Sequence, residues 1–453
     1  MSRETPIVSI LTLGCKLNQA DSVRIARRLA GEGVRVADRP VRGADAFVIN
    51  TCSVTHVADR KARHLARMAR RLSPEAEIVL TGCYAETAPA NVLDLTGADA
   101  LVRGGEKDAI PERLLERLRE RGDPSAGCAT PVRGALRTRA FVKIQEGCNE
   151  LCAFCIVPYT RGREVSVTID RVVEEVLSRE AEGVQEVVLT GTQLGNYGRD
   201  LGWREHGPRR LLEALLARTS VPRIRLSSLQ AQDISPELID LWADWRLCPH
   251  FHLPLQSGSD RVLGPMRRRY TAERYRASLA RVRKRVADVA ITTDVIAGFP
   301  GEREEDFEAT ISLCREAGFA AIHAFPYSRR PHTGAALLDG QLPPAVRRSR
   351  LERLLEIGRE SSVAFRQRFV GRTFEVLWEQ ESSGPFGRAS FVPQDRQDRR
   401  WQGLTPNYIR VYTSADCDLT NRVLPTRLLR VEGDETMGEL HRYLRMSGKR
   451  SLS

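Results

Sequence analysis

Three cysteines lie close together in the middle of the sequence, at Cys148, Cys152 and Cys155. We call them the central cysteines. Three thiolates at this spacing in one loop can ligate three irons of a single [4Fe–4S] cluster. The fourth iron then stays open, whereas a cluster that only transfers electrons normally has four cysteine ligands. An open iron can bind the amino and carboxylate groups of S-adenosylmethionine and reduce its sulfonium.

A zinc site is the alternative interpretation of the same loop. Zinc prefers two pairs of ligands, with the second pair at a distance from the first. A His or Cys elsewhere would have to complete the site, and the sequence contains no obvious fourth ligand. Ten cysteines in a chain of 453 residues favour metal, cluster or redox chemistry over a disulfide scaffold.

A second set of cysteines, the strand-end cysteines, consists of Cys15, Cys52 and Cys83. Each one directly follows a short apolar, β-prone run. The carboxyl ends of strands in an open parallel sheet converge on one crevice, where ligands bind, so the three thiols should meet. A second three-cysteine cluster with an open iron is the hypothesis that follows. The remaining cysteines lack a partner pattern and are interpreted as packing residues: Cys128, Cys248, Cys314 and Cys417.

The elements that must position these cysteines follow a strand–helix rhythm. In the first part of the chain, this rhythm predicts an open parallel α/β sheet. The predicted strands are 7–13, 46–50 and 77–81, and the predicted helices are 22–31 and 59–72.

The middle of the chain repeats the rhythm after a linker with Gly and Pro at 121–139. Six strand–helix units there predict an α/β barrel, open or closed. Its strands are expected at 140–144, 186–190, 223–228, 250–255, 291–297 and 320–325. Short β-rich runs separated by turns then predict a small antiparallel barrel, at 373–378, 408–412 and 427–431.

This pattern divides the chain into five parts. They are an N-terminal domain (1–125), a barrel domain (135–345), a connecting helix (346–370), a β-barrel domain (371–437) and a tail (438–453).

Composition places further limits on function. A hydrophobic content of 42% excludes wholesale disorder, and no apolar run reaches the roughly 18 to 20 residues that span a bilayer. The first apolar stretch is too short for a secretory signal, so we expect a cytoplasmic protein that does not associate with a membrane. The 70 basic and 58 acidic residues give a net charge of +12. That excess fits a polyanionic partner, although only 6 basic residues are Lys and such a bias also follows from genomic base composition.

Together these motifs resemble the radical S-adenosylmethionine methylthiotransferase family. The cysteine loop that opens a six-strand barrel is similar to radical S-adenosylmethionine enzymes. The strand-end cysteines and a C-terminal β-barrel of the TRAM type are similar to the methylthiotransferase branch. The segments most similar to enzymes that act on N6-threonylcarbamoyladenosine in tRNA are 12–19, 50–55, 248–260, 266–271 and 291–302.

The resemblance implies two [4Fe–4S] clusters and two equivalents of S-adenosylmethionine. The cluster on the central cysteines would cleave S-adenosylmethionine to a 5′-deoxyadenosyl radical, which abstracts the C2 hydrogen of the adenine at position 37 of tRNA. The cluster on the strand-end cysteines would carry the sulfur to be donated, and a second S-adenosylmethionine would methylate it. Such a C–H bond has no acidic proton for a general base, so the cofactors must supply the chemistry.

The resemblance also implies partners: the anticodon stem-loop of tRNA, an electron donor such as flavodoxin or ferredoxin, and a sulfur source. Two alternatives keep the chemistry but change the substrate, to N6-isopentenyladenosine in tRNA or to an aspartate of a small-subunit ribosomal protein. An RNA-binding protein with structural clusters and a zinc-stabilised scaffold are alternatives of other classes.

For S-adenosylmethionine itself, the resemblance indicates residues at the ends of barrel strands. Thr190 and Gly191 stand where such enzymes hold the methionine amino group, although a tight turn explains them equally well. Ser227 and Ser228 could reach the ribose or carboxylate, or could cap a helix. Val295 and Ile296 could pack the adenine, or could be barrel core.

Other residues are candidates for contact with the substrate. His250 and His252 should share one face of the fourth barrel strand, where a core histidine is the more frequent outcome. The polar candidates in the loop beyond that strand are Gln256, Ser257 and Ser259.

Two basic segments could contact tRNA phosphates, or could be solvated helix faces. They comprise Arg60, Lys61, Arg63, Arg67, Arg70 and Arg71, and then Arg267–Arg269, Arg274, Arg276, Arg281, Arg283, Lys284 and Arg285. Residues 371–453 are nearly neutral, with 13 basic and 11 acidic residues. If that part of the chain binds RNA, we therefore expect it to do so through aromatic side chains: Trp378, Trp401, Tyr408 and Tyr412.

Overall fold

The computed structural model describes residues 5–120, 138–203, 206–382 and 399–441, which form three packed units. Most of the expected linker at 121–139 and residues 442–453 of the expected tail lie outside the described residues. The last described strand continues to Leu440, so the tail does not begin at 438 as expected.

The first unit is a five-stranded parallel sheet with the order β2-β1-β3-β4-β5. Its strands are β1 (Ile7–Thr12), β2 (Arg35–Ala37), β3 (Ala46–Thr51), β4 (Glu77–Gly82) and β5 (Ala100–Leu101). Its helices are α1 (Lys16–Gly31), α2 (His56–Leu72), α3 (Cys83–Thr87), α4 (Val92–Thr96) and α5 (Ile110–Glu120). Helices cover both faces of the sheet, which explains why its central strands are apolar at nearly every position.

The second unit is a partial barrel of six parallel strands, as the sequence predicts. The strands are β6 (Arg139–Lys143), β9 (Glu186–Thr190), β10 (Arg223–Leu226), β11 (His250–His252), β12 (Ala290–Ala297) and β13 (Ala321–Pro326). They form two three-stranded sheets that meet where Ile224 bridges Leu247. Within the described residues, β6 and β13 do not pair, so the barrel is open between them.

Helices and one small ribbon surround the barrel. The ribbon pairs β7 (Gln145–Glu146) with β8 (Val165–Ser166). The helices are α6 (Val157–Arg161), α7 (Ile169–Ala181), α8 (Gly207–Arg218), α9 (Pro236–Ile239), α10 (Asp260–Leu263), α11 (Ala272–Arg285), α12 (Glu304–Ala317) and α13 (Pro344–Gln367). Alternate strand residues pack outward against these helices, and the residues between them face the barrel interior.

The N-terminal domain closes part of the open side. Helix α1 lies on the interior face of β6 and β9, where Ala20 packs against Phe141 and Val188. The next residue, Asp21, accepts hydrogen bonds from the ammonium groups of Lys107 (2.9 Å) and Lys143 (2.7 Å). Burial alone would raise the pKa of Asp21, but the two ammonium groups lower it below its ordinary value.

The third unit is a closed β-barrel with the order β14-β15-β16-β18-β17. Its strands are β14 (Thr373–Glu381), β15 (Arg399–Leu404), β16 (Arg410–Ala415), β17 (Val423–Glu432) and β18 (Glu435–Leu440). Trp378 and Trp401 fill its core and are at most 2% exposed. The expectation that these two rings stack on RNA is therefore wrong, because an aromatic at alternate strand positions also fits a barrel core.

The third unit packs against the amino ends of the barrel strands. Tyr408, in the loop between β15 and β16, stacks on His250 with ring centroids 4.1 Å apart. Arg223 and Arg225 donate hydrogen bonds to backbone carbonyls of the same loop, each at 3.0 Å. Tyr408 is thus part of an interdomain contact rather than an exposed RNA-stacking ring, and His250 is the buried core histidine that the sequence favours.

Candidate functional site

The central cysteines lie in a loop between β7 and α6. The loop begins at Gly147, whose φ is +75°, and a Cβ there would lie 1.8 Å from the carbonyl oxygen of Arg163. Only glycine permits this close approach. Backbone hydrogen bonds fix the loop: the amide of Cys148 donates to Gly162 (3.1 Å) and the amide of Cys155 to Cys152 (3.0 Å).

Two of the three half-buried cysteines of this loop have surroundings that disfavour the thiolate. Burial raises the pKa of Cys148 to about 11 and that of Cys155 to about 12. Two donors act in the other direction, because the Glu150 amide lies 3.4 Å from the sulfur of Cys148 and Arg268 Nη1 lies 3.4 Å from that of Cys152. A strong positive centre, such as iron ions, would therefore be needed to hold Cys148 and Cys155 as thiolates.

The structure also brings the strand-end cysteines together, at the carboxyl ends of β1, β3 and β4. A Cβ on Gly14 would lie 2.7 Å from Cβ of Cys52, and one on Gly82 would lie 2.3 Å from the carbonyl oxygen of Thr51. Both glycines have positive φ, so the chain passes from strand to cysteine through backbone that favours glycine. Burial, with added repulsion from the thiols of Cys83 and Cys15, raises the pKa of Cys52 to about 11.

Arg161 lies between the two cysteine sets. Its guanidinium is 3.9 Å from the sulfur of Cys15, bonds the side-chain oxygen of Asn18 and pairs with Glu146 at 2.6 Å. Burial opposes its charge, yet the thiols of Cys83 and Cys15 raise the pKa of Arg161 above its ordinary value. Arg161 therefore links the crevice of the N-terminal sheet to the loop of the central cysteines.

The spacing of the sulfurs bears on the choice between zinc and an iron–sulfur cluster. Among the described residues, one group of three His, Cys, Asp or Glu donors lies within 4.8 Å of one another, and it contains no cysteine: His252, Asp294 and His323. Zinc–sulfur bonds of about 2.3 Å place the thiolates of one tetrahedral site roughly 4 Å apart. Both cysteine sets are more widely spaced, which fits a cluster of several irons better than one zinc ion.

Unpartnered polar atoms lie at the carboxyl ends of β9 and β10. Among the described residues, the side-chain oxygens of Thr192 and Ser227 and the amide nitrogen of Gln193 are buried without a hydrogen-bond partner. Gln145 Oε1 fixes this turn by accepting the amides of residues 192 and 193, both at 2.9 Å. Buried polar groups without partners are rare in folded proteins, so this end of the barrel is suited to a polar ligand.

The residues that the sequence suggests for contact with S-adenosylmethionine differ in burial and in the direction they face. Thr190 and Ser227 are buried at this end of the barrel, and Ser228 is half-buried. A Cβ on Gly191 would lie 2.7 Å from Leu194, so this glycine meets a packing need of the turn. Ile296 faces the interior and is half-buried, whereas Val295 packs outward into the core between barrel and helices. The side chain of Val295 is therefore barrel core, the second of the two interpretations, and a contact of the adenine with the backbone of this strand stays a prediction.

Two of the polar candidates beyond β11 serve the fold instead of a substrate. Ser257 is buried against the hydroxyl of Thr310 (3.3 Å), and Ser259 donates to Asp306 (2.7 Å). Gln256 is half-buried with a φ of +62° and remains available.

Several arginines of the two basic segments form ion pairs or hydrogen bonds within the protein. Arg70 pairs with Asp99 at 2.6 Å, and Arg269 pairs with Glu150 at 2.8 Å. Arg276, Arg283 and Arg285 also bind acidic groups or carbonyls of neighbouring helices. The most exposed positive charges of α2 belong to Arg60, Lys61, Arg67 and Arg71.

Comparison with known proteins decides the family. Residues 7–104 match the uncharacterized protein family UPF0004, and residues 142–314 match the radical SAM superfamily. The threonylcarbamoyladenosine tRNA methylthiotransferase MtaB of Bacillus subtilis (strain 168) is 34% identical over 436 residues, which cover 93% of this chain and 94% of that protein. The chain belongs to the radical SAM tRNA methylthiotransferases.

Other tRNA methylthiotransferases are similar over a shorter span. MtaB of Aquifex aeolicus (strain VF5) is 36% identical over 82% of this chain and 92% of its own length. The tRNA-2-methylthio-N(6)-dimethylallyladenosine synthase of Mycobacterium avium (strain 104) is 40% identical over 81% of this chain and 54% of its own length. Among solved structures, the radical S-adenosylmethionine methyltransferase TsrM of Kitasatospora setae has a TM-score of 0.51 at 15% identity, covering 84% of this chain and 82% of that chain. At that identity the match shows the fold alone.

Membership in the radical SAM superfamily implies a [4Fe–4S] cluster and S-adenosylmethionine. The sequence-based choice of enzyme class and fold is thereby confirmed. Sequence reasoning missed Arg161 and Gln145, since a single Arg or Gln carries no motif and gains its role only from contacts formed in the fold. The sequence indicates Arg268 as a candidate tRNA contact, whereas the structure places it beside Cys152. None of the described helices is long and apolar enough to cross a membrane.

Proposed function

We propose that this methylthiotransferase adds a methylthio group to C2 of N6-threonylcarbamoyladenosine at position 37 of tRNA, next to the anticodon. The observation that carries the proposal is the similarity along 93% of this chain and 94% of a relative named for that substrate. The two adjoining sets of three cysteines support it, because the reaction needs one centre for radical generation and another for sulfur.

In this proposal the central cysteines hold one [4Fe–4S] cluster and the strand-end cysteines hold a second. When bound, the first supplies the electron that cleaves S-adenosylmethionine, and the second supplies the sulfur, which a further S-adenosylmethionine methylates. Arg268 and Arg161 lie beside the two sets and offset the negative charge of the thiolates. The ion pair of Arg161 with Glu146 keeps the guanidinium in place between them.

The remaining residues of the site bind and orient. The unpartnered atoms of Thr192, Gln193 and Ser227 are suited to the polar groups of S-adenosylmethionine, at the end of the barrel that carries the central loop. Arg330 fixes the N-terminal domain over that end, because it donates to Asp59 and to Ser53, both at 2.8 Å. This buried contact excludes water from above the barrel.

The partners follow from the same chemistry. The adenine sits in the anticodon stem-loop of tRNA, and the exposed charges proposed to meet phosphates near the strand-end cysteines are Arg60 and Lys61, at the end of α2 that follows Cys52. A small electron carrier of the flavodoxin or ferredoxin kind and a sulfur source complete the reaction. We place the enzyme in the cytoplasm, where its tRNA is.

One alternative substrate has an observation in its favour. The Mycobacterium avium relative named for N(6)-dimethylallyladenosine is the more identical one, at 40%. The match covers 54% of that protein, whereas the match to the Bacillus subtilis relative runs nearly end to end. We therefore place the threonylcarbamoyl substrate first.

Nucleoside mass spectrometry of tRNA tests the proposal. Cells that lack methylthio nucleosides would express the wild type, Cys152→Ala, or Cys314→Ala, in which a buried cysteine of α12 is changed instead. We expect 2-methylthio-N6-threonylcarbamoyladenosine with the wild type and Cys314→Ala but not with Cys152→Ala. Appearance of the dimethylallyl derivative instead would contradict the substrate, and no change in any methylthio nucleoside would contradict the reaction on tRNA.

A further inference from the structure

Two histidines and one aspartate form a compact group inside the barrel, on three neighbouring strands. His252 lies on β11, Asp294 on β12 and His323 on β13, and the sheet register places Asp294 directly beside His323. His252 Nε2 is 3.2 Å from Asp294 Oδ2, and His323 Nδ1 is 3.2 Å from Asp294 Oδ1. Each carboxylate oxygen therefore takes one imidazole, and the two rings stack with centroids 5.5 Å apart.

The hydrogen bonds assign a role to each ring nitrogen. His252 uses its second nitrogen on the hydroxyl of Thr292, at 2.9 Å, so both of its nitrogens are engaged. His323 uses Nδ1 on Asp294, and no described residue bonds its Nε2. The His323 side chain is 50% exposed, whereas His252 is nearly buried. The exposed side chain of His323, held at Nδ1 by a carboxylate, thus offers its Nε2 to a ligand.

The hydrogen bonds within the group keep its carboxylate ionised. Burial would raise the pKa of Asp294, but the hydrogen bonds from His252 and His323 lower it below its ordinary value. His250, deeper in the barrel, is kept neutral because burial lowers its pKa.

An exposed aromatic ring lies next to this group on the same strand. Phe325 follows His323 by two residues, so both side chains share the interior face of β13, roughly 7 Å apart. Phe325 is 43% exposed and lies nearer the carboxyl ends of the strands, where the central loop is. Aromatic side chains commonly stack on a nucleobase that is turned out of its RNA strand.

From this arrangement we propose that His323, held by Asp294 and His252, binds the carboxylate at the end of the substrate's N6 substituent while the adenine stacks on Phe325. The inference rests on the proposed function, since a threonylcarbamoyl group ends in a carboxylate and a dimethylallyl group carries no charge. His323 is then a residue that selects between hypermodified adenines. A divalent cation is the competing occupant, and the pairing of each imidazole with its own carboxylate oxygen favours a direct contact of His323 with the substrate's carboxylate.

The test compares two anticodon stem-loops, one with N6-threonylcarbamoyladenosine and one in which its carboxylate is a neutral primary amide. The cluster-loaded wild type, His323→Gln and a control, His64→Gln on the exposed face of α2, are assayed by kcat/KM for methylthiolation. We expect the wild type and His64→Gln to prefer the acid by roughly 10- to 100-fold, the worth of a hydrogen bond to a charged group. We expect His323→Gln to lose most of that preference through a lower rate on the acid, with the amide and the cleavage of S-adenosylmethionine without RNA unaffected.

Three outcomes would overturn the inference. Equal use of acid and amide by the wild type would show that the carboxylate is not recognised. An undiminished preference in His323→Gln would show that another group recognises it. Loss of the wild-type preference after chelation of divalent ions, with both clusters still intact by absorbance, would assign the contact to a cation. If the wild type methylthiolates neither stem-loop, the proposed function fails and this inference with it.

Discussion

Replacing Asp21 with Asn should destabilise the N-terminal domain and weaken its contact with the barrel. The carboxylate is fully buried and meets the ammonium groups of Lys107, within its own domain, and Lys143 of β6. Because its folded pKa is depressed, Asp21 contributes stability at neutral pH that is lost as pH falls below about 4. Lys143 keeps a second partner, Glu146 at 2.8 Å, whereas Asp21 is the one ion pair of Lys107 among the described residues.

The magnitude follows from that asymmetry. Removing one partner of a buried ion pair costs about 3 to 5 kcal/mol, because the other charge stays buried without compensation. We expect the lower end, about 3 kcal/mol, since only Lys107 is stranded and Asn still accepts one hydrogen bond. A double variant, Asp21→Asn with Lys107→Met, should recover most of the loss.

The assay is urea unfolding of the cluster-loaded protein at pH 7, followed by far-ultraviolet circular dichroism. The matched control is Asp108→Asn, whose carboxylate pairs with Arg24 at the surface and is worth less than about 1 kcal/mol. Methylthiolation should fall in Asp21→Asn because α1 begins directly after Cys15. Equal urea midpoints for the Asp21 and Asp108 variants, or no recovery in the double variant, would refute the reasoning.

Two further predictions concern a glycine and a raised pKa. Gly82→Ala should reduce the iron bound per chain and abolish methylthiolation, because its Cβ would lie 2.3 Å from the carbonyl oxygen of Thr51. The control is Gly43→Ala, which is also at positive φ but has nothing within 4 Å of its Cβ. This variant should keep its iron. Equal iron in the two variants would contradict the tight packing at the end of β4. Burial raises the pKa of Asp233 to about 6, so the wild type should lose stability as pH rises from about 4 to 6, where Asp233→Asn should not. A pKa shift is worth about 1.4 kcal/mol per unit, and we reduce that value because the Asp233 side chain is only half-buried. At pH 7 the unfolding free energies of the wild type and Asp233→Asn should therefore differ by roughly 2 kcal/mol. Parallel pH profiles of the two proteins would contradict this expectation.

The strands that carry the cysteines were predictable because burial on both faces leaves a continuous apolar run. β1, β3 and β4 each give such a run, with a cysteine just beyond it. β2 and β5 have three and two residues, too few to show a period, and the sequence analysis missed them.

The contacts between domains were not predictable in the same way. Trp378 and Trp401 have the spacing of strand residues whether they face a core or a solvent, so their burial depends on the closure of the barrel. Arg161 acts on Cys15, 146 residues away, and Tyr408 meets His250 only after the third unit has packed on the second. His323 stands in an ordinary apolar run, and its pairing with Asp294 follows from the register of β12 and β13.

The central claim is that two cysteine sets carry two clusters with separate tasks. Iron content and S-adenosylmethionine cleavage, measured on a variant with Cys15, Cys52 and Cys83 all changed to Ala, test it most directly. The account predicts half the iron of the wild type, continued formation of 5′-deoxyadenosine and no methylthio product. Unchanged iron content, or loss of 5′-deoxyadenosine in a variant that still folds and keeps half its iron, would contradict it.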